Sequence, residues 1–463
     1  MTVLWTSDEL SNILGKNATE AFSCTGVAFD SREIGLGELF FALKGDQSDG
    51  HRFIKSAFSS GATGAIVSKA VDGPHIRVPD TMAALEQLGI AARNRVDAKI
   101  IGVTGSAGKT GTKEALYAAL DRASFGKAHR SVKSYNNHVG VPLSLSRMPA
   151  DTQYGVFEMG MNHPGELSAL TQFVRPHVAI VTTIAPAHIE FFKDERAIAE
   201  AKSEIFEGLV EGGTAIIPRD SQHYEQLRRN AEKYAANIVS FGFSPNADVR
   251  CVDHIASEKG GSIVTAQLPG GMICYALSQT GTHWIANSLA VLAAVEAVGA
   301  DLAAAGLALA EMDGLKGRGE RHVIAVSGGD AVLIDESYNA NPASMAATLA
   351  ALGTTRADRH VAILATMKEL GSQSGEFHAG LKRHLDVMGV GYALLVGEEM
   401  APLVKALSDD IAWAGKFTHC ASAKEAVSVA KAIALPGDAI LIKGSNSMGL
   451  SAVVDAFINA AKG

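Results

Sequence analysis

The sequence predicts an α/β protein of three domains: a small α/β domain, a central P-loop-type domain with a parallel sheet, and a C-terminal Rossmann-like domain. A chain of 463 residues exceeds what one hydrophobic core usually organises. Short apolar runs alternate with helical spacing, first after residue 98 and again after about residue 314. The 47 glycines against 13 prolines favour many tight turns between strands and helices.

The first domain is predicted over residues 1–97. Thr6 to Glu9 has the pattern of a capping box that opens a short helix. After Asp30-Ser31-Arg32, the apolar run Leu39 to Leu43 is typical of a buried strand and stops at Gly45. These signals predict a small α/β unit.

The central domain is predicted over residues 98–314. Lys99 to Val103 is a short apolar run, a glycine-rich turn follows, and Lys109 to Leu120 has helical spacing. Further strands are predicted at Tyr154 to Phe157, Ala179 to Ile184 and Thr214 to Ile217. Between Asp248 and Ser278, two β-rich stretches flank Pro269-Gly270-Gly271, which predicts an antiparallel hairpin before a helix from His283 to Val298.

The third domain is predicted over residues 315–463, where the alternation of strands and helices restarts. Its strands are expected near Val332 to Ile334, Val361 to Leu364, Leu394 to Val396 and Ala439 to Ile442. This pattern favours a Rossmann-like sheet.

Charge and cysteine usage exclude several classes of protein. A formal net charge of -8 provides no field that attracts nucleic acid. The four cysteines have no metal-binding spacing, as expected of reduced cytoplasmic thiols. The N-terminus lacks a leader pattern, and nowhere do 18 apolar residues run uninterrupted, so we expect a cytoplasmic protein without membrane insertion.

The glycine-rich turn has the sequence context of a phosphate-binding loop. It runs from Gly105 through Ser106, Ala107, Gly108, Lys109 and Thr110 to Gly111, after a predicted strand and at the start of a helix. Lys109 is expected at the outer phosphates and Thr110 at a magnesium ion. Val103 stands where GxxxxGK[ST] requires glycine, so the loop is a shortened variant that favours ATP.

Several motifs in order resemble those of the Mur ligases across essentially the whole chain. The phosphate loop is followed by Glu158-Met159-Gly160-Met161, Ala201-Lys202-Ser203-Glu204-Ile205 and Met367-Lys368-Glu369-Leu370-Gly371. The string from Asp335 to Met345, DESYNANPASM, resembles the branch that adds D-alanyl-D-alanine. The chain departs from the family pattern at Trp284, Pro218, Asn446 and Ala365-Thr366.

The resemblance implies an ATP-dependent ligase of peptidoglycan precursor synthesis. The expected partners are a UDP-N-acetylmuramoyl-tripeptide and D-alanyl-D-alanine, joined through an acyl phosphate that turns a poor carboxylate electrophile into a reactive one. The first domain would hold the UDP end, the central domain ATP, and a mobile third domain would close on both. We expect a monomer.

The resemblance also assigns residues to the nucleotide and to two magnesium ions. Besides the phosphate loop, Asn287, Arg318 and Asp335 would contact ATP, with Asp335 at the ribose. Glu158 and His188 follow strands and should meet at the carboxyl edge of the central sheet, where they suit magnesium. Lys109, Glu158, His188 and Lys202 are the predicted catalytic residues, and Thr110, Glu158, His188 and Lys202 the predicted metal ligands.

Lys202 is expected to be carbamylated. A helix predicted from Asp194 to Val210 would place it beside the apolar residues Ile198 and Ile205, and burial favours the neutral amine that adds carbon dioxide. The family places a carbamylated lysine at the matching position. The alternative is a lysine whose stem packs on the stripe while its ammonium reaches water.

Two groups of substrate-binding residues are expected. The resemblance places Ser31, Arg32, Asp49 and His51 at the UDP end, and Arg32 offers planar donors suited to a diphosphate. It places Asn136 and Asn137 at the sugar and peptide. On the dipeptide side the candidates are Tyr338, Asn339, Asn341 and Ser344.

Three other functions remain open at this stage. A ligase of the same superfamily could add another amino acid, or glutamate to folate. A P-loop kinase or ATP-driven switch would form no amide, and a binding protein could retain only the fold. The third residue of the tripeptide, meso-diaminopimelate or lysine, stays open as well.

Overall fold

The computed structural model describes residues 2–45, 48–257 and 260–460, and it contains three sheets of more than two strands, each covered by helices. The α/β fold class is therefore confirmed. The predicted boundaries near residues 97 and 314 fall between these sheets and stay predictions.

The N-terminal unit is built on a parallel sheet of strand order β3-β4-β5-β6. Thr6 caps α1 in the predicted capping box with Glu9. Its elements are β1 Trp5–Thr6, α1 Ser7–Leu14, β2 Ser23–Cys24, β3 Gly26–Ala28, β4 Glu38–Phe41, α2 Ile54–Ser59, β5 Gly64–Val67, β6 His75–Arg77 and α3 Thr81–Asn94.

The central unit holds a sheet that comprises, within the described residues, nine strands in the order β15-β14-β13-β12-β11-β10-β7-β9-β8. The elements are β7 Lys99–Thr104, α4 Lys109–Ala123, β8 Ala128–Arg130, α5 Gly140–Ser146, β9 Tyr154–Glu158, α6 Glu166–Val174, β10 Val178–Val181, α7 Glu195–Ser203, β11 Thr214–Pro218, α8 Tyr224–Ala231, β12 Asn237–Gly242, β13 Val249–Ala256, β14 Ser262–Leu268, β15 Gly271–Leu277, α9 Thr282–Ala297 and α10 Leu302–Glu311. The predicted hairpin is β14–β15, and β13 to β15 form the antiparallel edge.

The C-terminal unit has the strand order β16-β17-β21-β18-β19-β20, parallel except for β16. The elements are β16 Glu320–Val326, β17 Gly329–Glu336, α11 Pro342–Gly353, β18 Arg359–Ala365, α12 Ser374–Val387, β19 Val390–Val396, α13 Ala401–Ser408, β20 Phe417–Cys420, α14 Ala423–Ile433, β21 Asp438–Lys443 and α15 Ser451–Ala460. Each predicted strand of this unit lies within an observed one.

Two predicted elements are longer than those observed. The helix expected from Asp194 to Val210 ends at Ser203 and continues as a 3-10 turn over Glu204–Gly208. The turn tightens there because Glu204 accepts hydrogen bonds from the amides of Gly165 and Ser168 at the start of α6, at 2.7 and 3.2 Å.

The strand expected from Ala179 to Ile184 ends at Val181. The next residues turn over the phosphate loop instead: the Thr183 carbonyl accepts the Ser106 amide at 2.8 Å. The Thr182 hydroxyl donates to the Ala107 carbonyl at 2.5 Å. Backbone groups that would extend the sheet are thus used to shape the loop.

The N-terminal and central units are joined by polar contacts. Glu33 pairs with Lys133 at 2.6 Å and accepts the Tyr135 hydroxyl, and Glu38 pairs with Arg147 at 3.0 Å. The pKa of Tyr135 is raised to about 12, by burial and by this carboxylate. The loop 131–137 therefore connects the first unit to the centre of the molecule.

Candidate active site

The phosphate loop lies between β7 and α4, where glycine is required at two positions. Gly108 has φ 81°, and a side chain there would meet the Asn287 amide oxygen at 2.9 Å. Gly105 has φ 150°, and the Thr182 hydroxyl occupies the space of a Cβ. The loop therefore packs closely on its neighbours, and its residues Ala107 and Gly108 line a cavity at the start of a helix, where backbone amides favour phosphate.

Lys109 is the first residue of α4, and its side chain folds back over the loop. Its ammonium donates to the Gly105 carbonyl at 2.7 Å. Burial lowers the pKa of Lys109, while the negative charge of Glu158 opposes that shift. The predicted phosphate-binding cation thus sits at the mouth of the loop.

Thr110, Glu158 and Asn136 form a chain of hydrogen bonds at the end of β9. The Thr110 hydroxyl donates to Glu158 Oε2 at 2.8 Å, and the Asn136 amide donates to Oε1 at 2.7 Å. Glu158 is 1% exposed. The hydroxyl and carboxylate present hard oxygen donors close together, which is the chemistry that magnesium prefers.

Lys202 lies in the last turn of α7 and is only 1% exposed. Its stem is therefore buried, and the alternative in which the ammonium reaches water stays a prediction. Across the part of the chain that the structure describes, this ammonium has neither a hydrogen-bond nor an ion-pair partner. Burial, followed by the nearby charge of Lys109, holds the pKa of Lys202 well below its usual range.

His188 follows β10 and adopts φ 58°, the left-handed conformation. Its Nδ1 is hydrogen-bonded to the Glu369 carboxylate, which belongs to the C-terminal unit. The pKa of His188 is lowered, first by burial and next by the charge of Lys109. Lys109, Lys202 and His188 therefore lie close enough together for the charge of Lys109 to disfavour protonation of the other two.

The C-terminal unit contributes Arg318 to the same region. Its guanidinium lies 4.3 Å from the centre of the Tyr338 ring and donates to the Ser134 hydroxyl at 3.2 Å. Asp335 is 2% exposed, and its two oxygens accept the amides of Gly317 and Ser337, each at 3.0 Å. In this conformation Asp335 shapes the Arg318 loop, and its role at the ribose stays a prediction.

The string of residues after β17 turns toward the phosphate loop. Asn341 caps α11, and its amide also donates to the Ser106 carbonyl at 3.1 Å. Ser344 completes the capping box. Asn339 caps the Ala340 amide at 2.9 Å. The residues predicted to bind the dipeptide thus make hydrogen bonds within the turn before α11, and Asn341 also contacts the central unit.

A cavity of about 670 Å³ lies between the central and C-terminal units. Its wall contains eight residues of the predicted site: Ala107, Gly108, Gly111, Asn287, Arg318, Asn339, Asn341 and Ser344. The cavity is also lined by Glu336 and Lys443. The Lys443 ammonium donates to the Asn339 carbonyl at 2.9 Å. This is the size and mixed polarity typical of a small-molecule site.

The residues predicted for the UDP end lie in the N-terminal unit, outside that cavity. Ser31 is buried, whereas the Arg32 side chain is 86% exposed and pairs with Asp30 at 2.6 Å. Asp49 bonds His51 Nδ1 at 2.6 Å and Lys69 at 2.7 Å, which lowers the pKa of its carboxyl. Arg32 is thus accessible from solvent while Asp30 holds its guanidinium.

Asn136 and Asn137 have different surroundings. Asn136 holds Glu158, whereas the Asn137 side-chain oxygen accepts the Gly140 amide at 3.0 Å at the start of α5. Their contact with the sugar and peptide stays a prediction.

Sequence reasoning missed Thr182, Ser134 and Lys443 as site residues. Thr182 directly follows β10 and so lies at the carboxyl edge of the sheet, where ligands bind. That position is the signal that could have identified it from the sequence. Ser134 lies 3.4 Å from Thr110 Oγ1 and bonds Arg318, contacts that no local pattern indicates. Lys443 ends β21 with only 2% exposure, and the burial of this lysine is information that no local pattern supplies.

Within the described residues, no three His, Cys, Asp or Glu side chains are gathered closely enough to hold a metal ion by themselves. Nor is any helix there long and apolar enough to cross a membrane.

Comparison with known proteins identifies the class. The Mur ligase middle domain matches residues 103–295, the Mur ligase glutamate ligase domain residues 317–446, and the Mur ligase family catalytic domain residues 23–76. Together these cover most of the chain, including the phosphate loop and Arg318. The chain belongs to the Mur ligase family, as the motifs predicted.

Individual relatives show which members of the family this chain is similar to. The chain is 33% identical, over 98% of its length and 99% of the relative's, to UDP-N-acetylmuramoyl-tripeptide–D-alanyl-D-alanine ligase of Rickettsia prowazekii. MurF from Acinetobacter baumannii superposes with a TM-score of 0.83 at 28% identity, covering 98% of this chain and 99% of that one. MurF ligase from Thermotoga maritima in complex with ADP gives 0.77 at 25% identity, covering 94% and 98%.

Proposed function

We propose that this protein is the ATP-dependent ligase that joins D-alanyl-D-alanine to UDP-N-acetylmuramoyl-tripeptide, giving the pentapeptide, ADP and phosphate in peptidoglycan precursor synthesis. The observation that carries the proposal is the bond between Asn341 and the Ser106 carbonyl. It sets the DESYNANPASM segment directly against a phosphate loop, so an activated carboxylate and an amine could meet there.

The chemistry needs positioned cations more than an acid–base pair, because phosphoryl transfer is mainly a matter of alignment and charge neutralisation. Lys109 would neutralise the outer phosphates from the central unit, and Arg318 would approach them from the C-terminal unit. Asn287, next to Gly108, would contact the nucleotide. The tripeptide carboxylate would attack the γ-phosphoryl group, and the dipeptide amine would then displace phosphate from the acyl phosphate.

Thr110, Glu158, His188 and Lys202 are the residues we propose to hold up to two magnesium ions. When bound, magnesium would supply charge neutralisation at the phosphates. The Thr110–Glu158 oxygen pair fits that ion. Lys202 fits less well as an ammonium among cations, and carbamylation would convert it to an anionic oxygen donor.

The UDP end would lie in the N-terminal unit, with Arg32 as a diphosphate ligand and Ser31, Asp49 and His51 beside it. Asn136 and Asn137 would face the sugar and peptide, and Tyr338, Asn339, Asn341 and Ser344 the dipeptide. We further propose a cytoplasmic monomer.

The decisive assay mixes the purified protein with ATP, magnesium, D-alanyl-D-alanine and two UDP-N-acetylmuramoyl-tripeptides, one ending in meso-diaminopimelate and one in lysine. Mass spectrometry should detect a pentapeptide from one of them, and phosphate release should require both peptide substrates. Lys109→Ala should abolish turnover while the far-UV spectrum stays native. Phosphate release at the same rate without the dipeptide would favour a kinase or an ATP-driven switch.

A further inference from the structure

The contact between His188 and Glu369 joins two structural units at the nucleotide site. His188 lies in the turn after β10, and Glu369 lies in the segment between β18 and α12. The Nδ1 atom of His188 is hydrogen-bonded to the Glu369 carboxylate. A second bond runs from the Glu190 amide to the Glu369 carbonyl at 3.3 Å, so both the side chain and the backbone of Glu369 contact this turn.

Both partners adopt a backbone conformation that non-glycine residues rarely use. The φ angle is 58° at His188 and 63° at Glu369. Such conformations persist where surrounding contacts determine them, and they concentrate at functional sites. Two of them facing each other across one interface indicate that this contact is built for more than packing.

The segment that presents Glu369 is hydrogen-bonded within its own unit. The fully buried His378 accepts the Met367 amide at 3.0 Å through Nε2 and bonds the Ser374 carbonyl at 2.7 Å through Nδ1. The Ser445 hydroxyl accepts the Lys368 amide at 3.1 Å. The two residues that precede Glu369 are therefore tied to the C-terminal unit.

We propose that Glu369 is a positioning residue that makes the orientation of His188 depend on docking of the C-terminal unit. A neutral imidazole that donates Nδ1–H to a carboxylate keeps its lone pair on Nε2, and the bond fixes the ring plane. Such carboxylate partners orient histidines that bind metal ions or phosphates. Docking would thus prepare His188, and a ligand held by Nε2 would in turn favour docking.

The proposal rests on the proposed function only for the identity of the ligand, so its first test needs neither nucleotide nor activity. The imidazole nitrogens of His188 can be observed by nitrogen-15 NMR and assigned by their loss in His188→Asn. The wild type should show His188 protonated at Nδ1. Glu369→Ala should lose that signature, and Glu369→Gln, whose amide oxygen can still accept, should retain it.

The second test measures nucleotide affinity and rate. Glu369→Ala should weaken ADP binding in the presence of magnesium by about tenfold, leave metal-free ADP binding unchanged, and lower kcat by roughly ten- to a hundredfold. Glu369→Gln should keep most of the wild-type kcat and most of the wild-type affinity for ADP in the presence of magnesium. The matched control is Glu399→Gln, which removes the 2.5 Å ion pair of the neighbouring Lys368 and should behave as wild type.

The two tests separate the positioning role of Glu369 from the proposed ligase function. An unchanged His188 signature in Glu369→Ala overturns the proposal, as does an equal loss in the Glu399 control. A changed signature in a protein that forms no pentapeptide supports the positioning role and rejects the proposed function instead.

Discussion

Lys202 has an environment that an ordinary ammonium would not tolerate. Burial is the main cause that lowers the pKa of Lys202 and the charge of Lys109 adds to it, while the carboxylate of Glu204 opposes the shift. The neutral amine is therefore favoured, and it is the form that adds carbon dioxide.

Replacing Lys202 with alanine or arginine should abolish ligation, and bicarbonate depletion should lower the activity of the wild type. Because the pKa of Lys202 is lowered, the amine is available below its ordinary range, and activity should rise as pH increases through the lowered pKa. Short carboxylates should partly rescue the alanine variant. Lys193→Ala, an exposed lysine near the start of α7, is the control; full activity of Lys202→Ala would refute the carbamate.

Gly111 and Trp284 form a complementary pair of small and large residues at the cavity wall. A Cβ on Gly111 would lie 2.7 Å from the Trp284 ring, which is 7% exposed. Trp284 is also a departure from the family pattern, so this chain needs glycine at the first turn of α4.

Gly111→Ala should lower the free energy of unfolding by about 1–3 kcal/mol because it overpacks this contact. Adding Trp284→Phe should recover part of the loss. Gly380→Ala is the matched control, since no atom lies within 4 Å of its Cβ and alanine favours helix by about 1 kcal/mol. Chemical denaturation measures the wild type, the three single variants Gly111→Ala, Trp284→Phe and Gly380→Ala, and the double variant; additive losses in the double variant would contradict the coupling.

At the scale of elements, His177 ties the central strands together. It precedes β10, and its Nδ1 accepts the Ile100 amide of β7 at 3.0 Å. Burial, with help from Arg93 and Lys99, lowers the pKa of His177 to about 4 from an ordinary 6.5. The unfolded chain therefore binds the extra proton between these values, and stability is lost as pH falls from 6.5 toward 4.

In acid the wild type loses free energy of unfolding through His177, and His177→Asn should lose about 1–2 kcal/mol less. This figure allows for the partial exposure of the ring. Asparagine keeps an acceptor for the Ile100 amide but does not titrate. Urea denaturation near neutral pH and at about pH 4.5 should therefore show the variant gaining on the wild type in acid. Parallel pH profiles for the two proteins would show that His177 is not responsible.

At the scale of the whole molecule, the cavity exists only because the central and C-terminal units meet. Asn341 serves both sides, as the cap of α11 and as a donor to the Ser106 carbonyl. These two roles can be separated by side-chain length, because serine is a good N-cap but too short to span the interface.

Asn341→Ala should lower stability by about 1 kcal/mol and raise KM for ATP, whereas Asn341→Ser should restore stability but not KM. Ser422→Ala removes the cap of α14, a helix outside this interface, and should cost similar stability with unchanged KM. Thermal unfolding and steady-state kinetics measure the two effects. If KM follows stability across the three variants, the contact between the units has no separate role.

The sequence alone determined the fold class, the family and the position of the phosphate loop. Strand periodicity and the Gly105 to Thr110 turn are local signals, because hydrophobic alternation and glycine conformation act over a few neighbouring residues. Even the expected burial of Lys202 followed from helical spacing, although the helix proved to end at Ser203.

Only the tertiary structure decided which distant groups meet. The pairing of His188 with Glu369, of Asn341 with Ser106, and of Arg318 with Ser134 joins residues more than 180 positions apart. Such contacts depend on how sheets and domains pack, and no local pattern encodes them. Tertiary packing likewise ended the strand at Val181, because the backbone groups that follow bond the phosphate loop instead of the sheet.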